Sequence, residues 1–160
     1  MTVSPAEQAI APAPSVSKQR LRVWLRLLKI NKAVEAELRE RLRKQFATTL
    51  PRFDVMSALY RNTKGLKMSE LSRLLMVSNG NVTGIVDRLT EDGLILREAV
   101  PGDRRAARAR LTAKGRTAFE DQASAHEKWV AELLGGLDED NCADALDLLA
   151  AVRRPHGEPR

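Results

Sequence analysis

The sequence predicts a mainly α-helical protein with one small β-hairpin late in the chain, and three observations carry that prediction. Apolar residues recur at spacings of three and four through most of the 160 residues. The alternation tightens to that of a strand in one region alone, between Leu94 and Leu111. The length fits one domain, or one module with helical extensions, and leaves no room for a second catalytic domain.

Leu21, Trp24, Leu25, Leu28, Val34, Leu38 and Leu42 mark a long amphipathic helix from Val16 to about Phe46, with no Pro or Gly inside it. At ~1.5 Å per residue it reaches roughly 45 Å, more than a small domain needs over its own core, so part of it is expected to pack on another chain. Pro51 opens a second helix with Phe53, Met56, Leu59 and Tyr60 on one face, ended by Asn62 to Gly65. Ser69 is expected to cap a third helix, Glu70 to Leu75, with Leu71, Leu74 and Leu75 inward. After a tight connection at Met76 and Val77, Ser78 caps a fourth, with Val82, Ile85, Val86 and Leu89 inward and Gly93 as its stop. Asn79, Asn81, Thr83, Asp87 and Arg88 occupy its other face.

Leu94 to Arg97 and Ala107 to Leu111 are the strand candidates, flanking a turn from Pro101 to Arg105. Thr112 caps a fifth helix to about Leu134, whose buried candidates include Phe119, His126, Trp129, Val130 and Leu133. After Gly135 and Gly136, a sixth begins near Asp138 and carries Leu137, Cys142, Leu146, Leu149 and Val152 before Pro155 and a polar tail. The organisation expected is a disordered arm over 1–16, helical dimerisation regions over 17–49 and 113–154, a DNA-binding region over 50–112, and a tail over 155–160.

Apolar residues make up 43% and charged residues 30%, and no apolar run approaches the ~20 residues of a membrane span. The first sixteen residues have neither the basic start nor the apolar stretch of a secretory signal, and Cys142 is the single cysteine, so a cytoplasmic protein without disulfides is expected. The net charge of +6 is unevenly placed. Residues 17–49 carry ten Lys/Arg against three acids, 50–112 eleven against seven, and 113–160 six against ten. A polyanion-binding surface gains directly from such segregation.

Two short helices joined by a tight turn and followed by an arginine-rich hairpin give the order of a winged helix-turn-helix. The second helix of such a pair lies in the major groove, where Ser78, Asn79, Asn81 and Thr83, with Arg88 further along, can reach base edges. Gly80 and Gly84 lower helix propensity by up to ~1 kcal/mol each, and close approach of the backbone to DNA supplies a reason for them.

The span from about Pro51 to Gly115 resembles the core of the MarR family of bacterial transcriptional regulators. The matching segments are Met68-Ser-Glu-Leu-Ser-Arg-Leu-Leu, Asn81-Val-Thr-Gly-Ile-Val-Asp-Arg-Leu, Glu91-Asp-Gly-Leu-Ile, Pro101-Gly-Asp-Arg-Arg and Leu111-Thr-Ala-Lys-Gly. The resemblance implies a repressor, not an enzyme: a homodimer with interleaved terminal helices, its two wings straddling a pseudo-palindromic double-stranded DNA operator. Asp103 would brace the wing by pairing with an arginine, and Arg105 or a neighbour such as Arg104 would enter the minor groove, with Arg108 in the same basic strand. Activation in place of repression stays open, because the sign depends on where the operator lies. An architectural DNA protein without sequence preference is the alternative that the basic surface also allows.

The resemblance implies no cofactor but a small-molecule effector, commonly an anionic aromatic compound, held between the dimerisation helices and the DNA-reading lobe. Candidate lining residues are Trp24, Leu28, Phe53, Met56, Tyr60, His126 and Trp129. Thr48-Thr-Leu-Pro-Arg-Phe-Asp-Val-Met and Val77-Ser-Asn-Gly-Asn-Val-Thr-Gly are similar to the branch responding to aryl-CoA thioesters of aromatic catabolism, such as hydroxycinnamoyl-CoA. Its phosphates would need cations, which Arg39, Arg41, Arg43 and Lys44 or the wing arginines could supply. Cys142 is read as an inert buried thiol among acids. His126 lies on the fifth helix and His156 in the tail, so no metal site is expected of them, and no nucleophile-elbow, phosphate-loop or paired-carboxylate signature appears.

Overall fold

A computed structural model describes residues 15–152, with the side chains of Asp103, Arg104 and Arg105 outside the description. The expected tail at 155–160, and the expected arm apart from Ser15 and Val16, lie outside the described residues. The chain divides into two units, 1–36 and 37–160. The described part of the first is the N-terminal portion of α1 (Val16–Phe46), whose Leu21, Trp24 and Leu25 are exposed.

The second unit begins where α1 starts to bury Leu38 and Leu42. α2 (Leu50–Arg61) follows, with Pro51 in its first turn and the Thr49 hydroxyl accepting the Arg52 N–H at 3.4 Å. Phe53, Met56 and Leu59 are buried as the spacing predicts, and Val55 and Ala58 join them because α2 is covered on more than one side.

β1 (Leu66–Lys67) has no counterpart in the sequence reading, since two residues carry no period. α3 (Met68–Leu75) starts earlier than expected and is not capped by Ser69. The Glu70 carboxylate accepts the Lys67 N–H at 2.7 Å instead, taking one of the free donors at that terminus. Leu71 is fully buried, but Leu74 is 57% exposed, a correction to the inward face expected. A two-turn helix presents one narrow stripe to the core, and here it runs through Leu71 and the half-buried Leu75.

Met76 ends α3 in the left-handed region (φ 53°), with the Val77 N–H donating to the Ser72 carbonyl and the Met76 N–H to that of Arg73. That pair of bonds is a Schellman ending. Ser78 caps α4 (Asn79–Glu91) as expected, its hydroxyl accepting the Asn81 N–H at 3.3 Å. Val82, Val86 and Leu89 are buried.

The hairpin is longer than predicted. β2 (Ile95–Val100) and β3 (Asp103–Leu111) pair antiparallel across a two-residue Pro101–Gly102 turn, and β1 adds to the outer edge of β3. Gly102 takes φ 81°, the value a Pro-Gly turn requires of its second residue. Arg104 and Arg105 therefore belong to β3, not to the turn.

Thr112 caps α5 (Ala113–Leu133) through the Gly115 N–H at 2.9 Å and donates its own proton to the Gly93 carbonyl at 2.8 Å. Gly115 is pressed against β2's entry: a Cβ there would stand 2.0 Å from the Leu94 carbonyl oxygen. Asp138 caps α6 (Glu139–Ala150), accepting the Asn141 N–H at 2.8 Å. No residue of α6 is buried in this single chain, so Cys142 is exposed and the expectation of a buried thiol is corrected. Among the described residues no helix is long and apolar enough to cross a membrane.

Candidate nucleic-acid interface

The inner face of α4 is fixed by Val82, Val86 and Leu89, each wholly buried, so the opposite face must be presented outward. Ser78, Asn79, Asn81, Thr83 and Arg88 are all exposed there. The Thr83 hydroxyl donates to the Asn79 carbonyl at 2.8 Å, and the Ser78 hydroxyl is engaged as the cap, which leaves the two asparagine amides as the freest hydrogen-bonding groups of the first turn. A Cβ added at Gly80 or Gly84 meets nothing within 4 Å, so nothing inside this chain demands glycine at either position.

The sequence reading missed the tie between this helix and the hairpin. Asp87 on α4 pairs with Arg97 on β2 at 2.7 Å, tying the helix to the wing and neutralising a carboxylate on α4's outer face. Further out, the Arg110 guanidinium bonds Glu98 across the two strands at 2.6 Å.

Arg108, expected at the DNA-binding surface, turns back to donate to the Lys64 carbonyl at 3.3 Å, and its alkyl stem packs against Gly65. Its role in the single chain is to hold the α2–β1 turn onto β3. The side chains of Asp103, Arg104 and Arg105 lie outside the described set, so the expected brace and minor-groove contact do too; the backbone puts all three just beyond the hairpin turn.

Part of the expected effector set converges. Phe53 stacks on His126 with ring centroids 4.6 Å apart and meets Phe119 at 5.4 Å; Tyr60 meets Phe119 at 4.9 Å. The Tyr60 hydroxyl donates to Glu120 at 2.9 Å, and the Arg116 guanidinium lies 4.7 Å over its ring. Burial lowers the His126 pKa and favours the neutral imidazole.

The other expected members are placed differently. Met56 is fully buried core, and Trp129 packs on Phe46 at 6.1 Å. Trp24 is 57% exposed and Leu28 half-buried, both in the first unit. Arg43 is committed to Glu40, which it and Lys44 hold down at a pKa of about 2, and Arg41 is committed to Glu132 at 2.6 Å; Arg39 is exposed. Among the described residues no group of His, Cys, Asp and Glu is arranged to hold a metal ion, and His156 lies outside them.

An open cavity, lined among others by Phe46, Arg52, Leu94 and Gln122, was not foreseen. Its lining residues are remote in sequence and none belongs to the expected set.

Comparison with known proteins follows the same geometry. The model of the MarR family matches residues 48–107, from the start of α2 into β3. The uncharacterized HTH-type transcriptional regulator YkoM of Bacillus subtilis is 36% identical over 108 residues, covering 65% of this chain and 68% of that protein. The crystal structure of a MarR family transcriptional regulator from Silicibacter pomeroyi is 33% identical, with a TM-score of 0.71 over 86% of this chain and 95% of that one. A mutant of MarR from E. coli, crystallised with operator DNA, shares the fold at 24% identity, with a TM-score of 0.72 over 88% of this chain and 100% of that one.

Proposed function

The chain belongs to the MarR family and is a transcriptional regulator, not an enzyme; from that premise we propose that it is a cytoplasmic repressor of aromatic-compound catabolism genes, binding a pseudo-palindromic operator as a homodimer. The supporting observation is α4, buried on one side by Val82, Val86 and Leu89 and polar on the other, tied by Asp87–Arg97 to a basic hairpin. In this reading Asn79 and Asn81, with Ser78, Thr83 and Arg88, meet base edges in the major groove. Arg104 or Arg105 enters the narrow minor groove, where the negative potential is strongest, and Asp103 orients it. The operator complex of the E. coli relative agrees with this partner class.

The effector is an anionic aromatic acid or its CoA thioester, and binding it releases the operator. Its ring is received by the Phe53–Tyr60–Phe119–His126 cluster, with the Arg116 guanidinium, 4.7 Å over the Tyr60 ring, to meet the anion. An electrophoretic shift with the DNA upstream of the protein's own gene, against scrambled competitor, tests both parts. Specific binding released by an aromatic acid or a hydroxycinnamoyl-CoA is the result expected. Equal binding to scrambled DNA would replace the repressor with an architectural protein, and no release by any aromatic compound would remove the effector assignment.

A further inference from the structure

Between Val16 and Val34, α1 carries six Lys/Arg and no Asp or Glu, while α6 carries four acids and no Lys or Arg. Within the first set, Arg22, Arg26 and Lys29 stand at i, i+4 and i+7, the spacing that lines residues along one helix face, and with Leu25 they line one open groove on the helix surface. Asp140, Asp144 and Asp147 repeat the same i, i+4, i+7 spacing on α6. All six side chains are exposed, and none of them forms an ion pair among the described residues. Charges elsewhere are matched: Glu40 holds Arg43 and Lys44, Asp87 holds Arg97, and Glu98 holds Arg110.

Like charges in a row repel one another, and each row gains when the other lies along it. The two rows have the same length, about 10 Å from first to last at ~1.5 Å per residue. Laid in the same direction, they face each other rung for rung. Laid in opposite directions, only the middle rung is out of step, by one residue or ~1.5 Å, which an arginine side chain spans. Leu25, one turn from both Arg22 and Lys29, is 52% exposed, and Leu148, one turn from Asp144, is 73% exposed, so contact between the rows also covers apolar surface.

We propose that the cationic row of α1 in one copy of the chain docks along the acidic row of α6 in a second copy, and that this charge match selects the partner. The inference rests on the homodimer proposed above and names the surface that makes it a pairing with self. A two-fold axis repeats the contact, so each dimer holds the ladder twice. A single exposed ion pair contributes little, but a chain lacking either row would leave the other facing apolar surface or its own sign, and so would be rejected.

Two charge-reversed chains test this. One carries Arg22→Glu, Arg26→Glu and Lys29→Glu, the other Asp140→Lys, Asp144→Lys and Asp147→Lys. Every position is exposed, and circular dichroism checks that each chain folds. Alone, each chain sets like charges against like in a homodimer, and its dimer Kd in fluorescence-detected sedimentation should rise at least about a hundredfold over the wild type. Mixed, the two chains restore opposite charges at both contacts, so an excess of the unlabelled one should return the labelled one to a dimer with a Kd within about threefold of the wild type's. The wild-type Kd should itself rise about tenfold or more between about 50 mM and about 500 mM NaCl, a measurement that stands without any variant. Variants that dimerise singly like the wild type, or a wild-type Kd unmoved by salt, overturn the charge match and leave the homodimer standing. Variants that stay monomeric when mixed overturn it as well, since the rows then do not act between chains. A wild type that is monomeric at micromolar concentration removes the homodimer, and this inference with it.

Discussion

Asp87 and Arg97 join α4 to β2 at 2.7 Å, with their side chains 49% and 34% exposed. Solvent screens a pair that open, so its contribution to stability is below about 1 kcal/mol. Its effect on DNA binding is expected to be larger, since Arg97 neutralises a carboxylate that would otherwise face phosphates. Arg97→Ala should leave the melting temperature nearly unchanged and weaken operator binding several-fold, more than Asp87→Asn does, because only the first variant leaves a bare negative charge. Fluorescence anisotropy at fixed salt measures both; an Asp87→Asn variant that binds worse than Arg97→Ala would sink this account.

Gly84 is open to substitution in the free protein, for a Cβ there meets nothing within 4 Å. Gly84→Ala should therefore raise the free protein's stability by up to about 1 kcal/mol through helix propensity. If the α4 backbone approaches DNA closely, the same methyl should weaken operator binding. Thermal denaturation and anisotropy on one preparation read the two effects; a variant that is more stable and binds equally well would remove the close-approach argument.

Arg105 stands two residues beyond Asp103 at the start of β3, at the far end of the hairpin. Arg105→Ala should weaken operator binding about tenfold or more, while Arg108→Ala should act mainly through stability, since that side chain holds the Lys64 carbonyl. Anisotropy alongside denaturant titration separates them. Unchanged affinity in Arg105→Ala would withdraw it from the minor groove.

The parts of this fold legible in the sequence are those decided by a few adjacent residues. Ser78 and Thr112, the caps read from the sequence, each accept an N–H from the helix they precede, and cap chemistry needs no knowledge of the rest of the chain. At α3 two cap chemistries competed within three residues, and Glu70 prevailed over Ser69. What was not legible depends on partners distant in sequence. β1 exists only because β3 pairs with it, and Arg108 looks like any other wing arginine until the Lys64 turn is seen beneath it. The cavity joins Arg52 to Gln122, seventy positions apart, and neither is unusual on its own helix.

His126 stacked on Phe53 predicts a pH dependence of stability. Burial lowers its folded-state pKa from 6.5, so between those two values the unfolded chain binds more protons than the folded one. Stability is therefore complete above pH 6.5 and declines as the pH falls from 6.5 towards the lowered value. The carboxyl of Glu40, held at about 2, contributes its own loss only below its ordinary 4.5. Denaturant titrations on either side of pH 6.5 should show a slope that His126→Phe abolishes while keeping the stacked ring. A slope that survives in that variant would assign the dependence to other groups.

Leu146 and Leu149 are 69% and 48% exposed on α6, a helix capped at Asp138 and regular to Ala150 yet with no buried residue. A 12-residue helix is marginal in water without packing on its apolar face. The N-terminal part of α1 repeats the situation, with Leu21, Trp24 and Leu25 each more than half exposed. The economical reading is that both apolar faces meet a second copy of the chain across a two-fold axis. Leu146→Glu combined with Leu149→Glu would place four carboxylates in such an interface per dimer and should convert the protein to a monomer in sedimentation at micromolar concentration. Operator affinity should then fall by at least about a hundredfold, because each half-site loses the advantage of its tethered neighbour. The 37–133 core makes its own contacts independently of α6, so circular dichroism of the variant should keep its helical signal. A double variant that stays dimeric would move the interface elsewhere, and a monomer that binds the operator with undiminished affinity would break the link between dimerisation and DNA recognition.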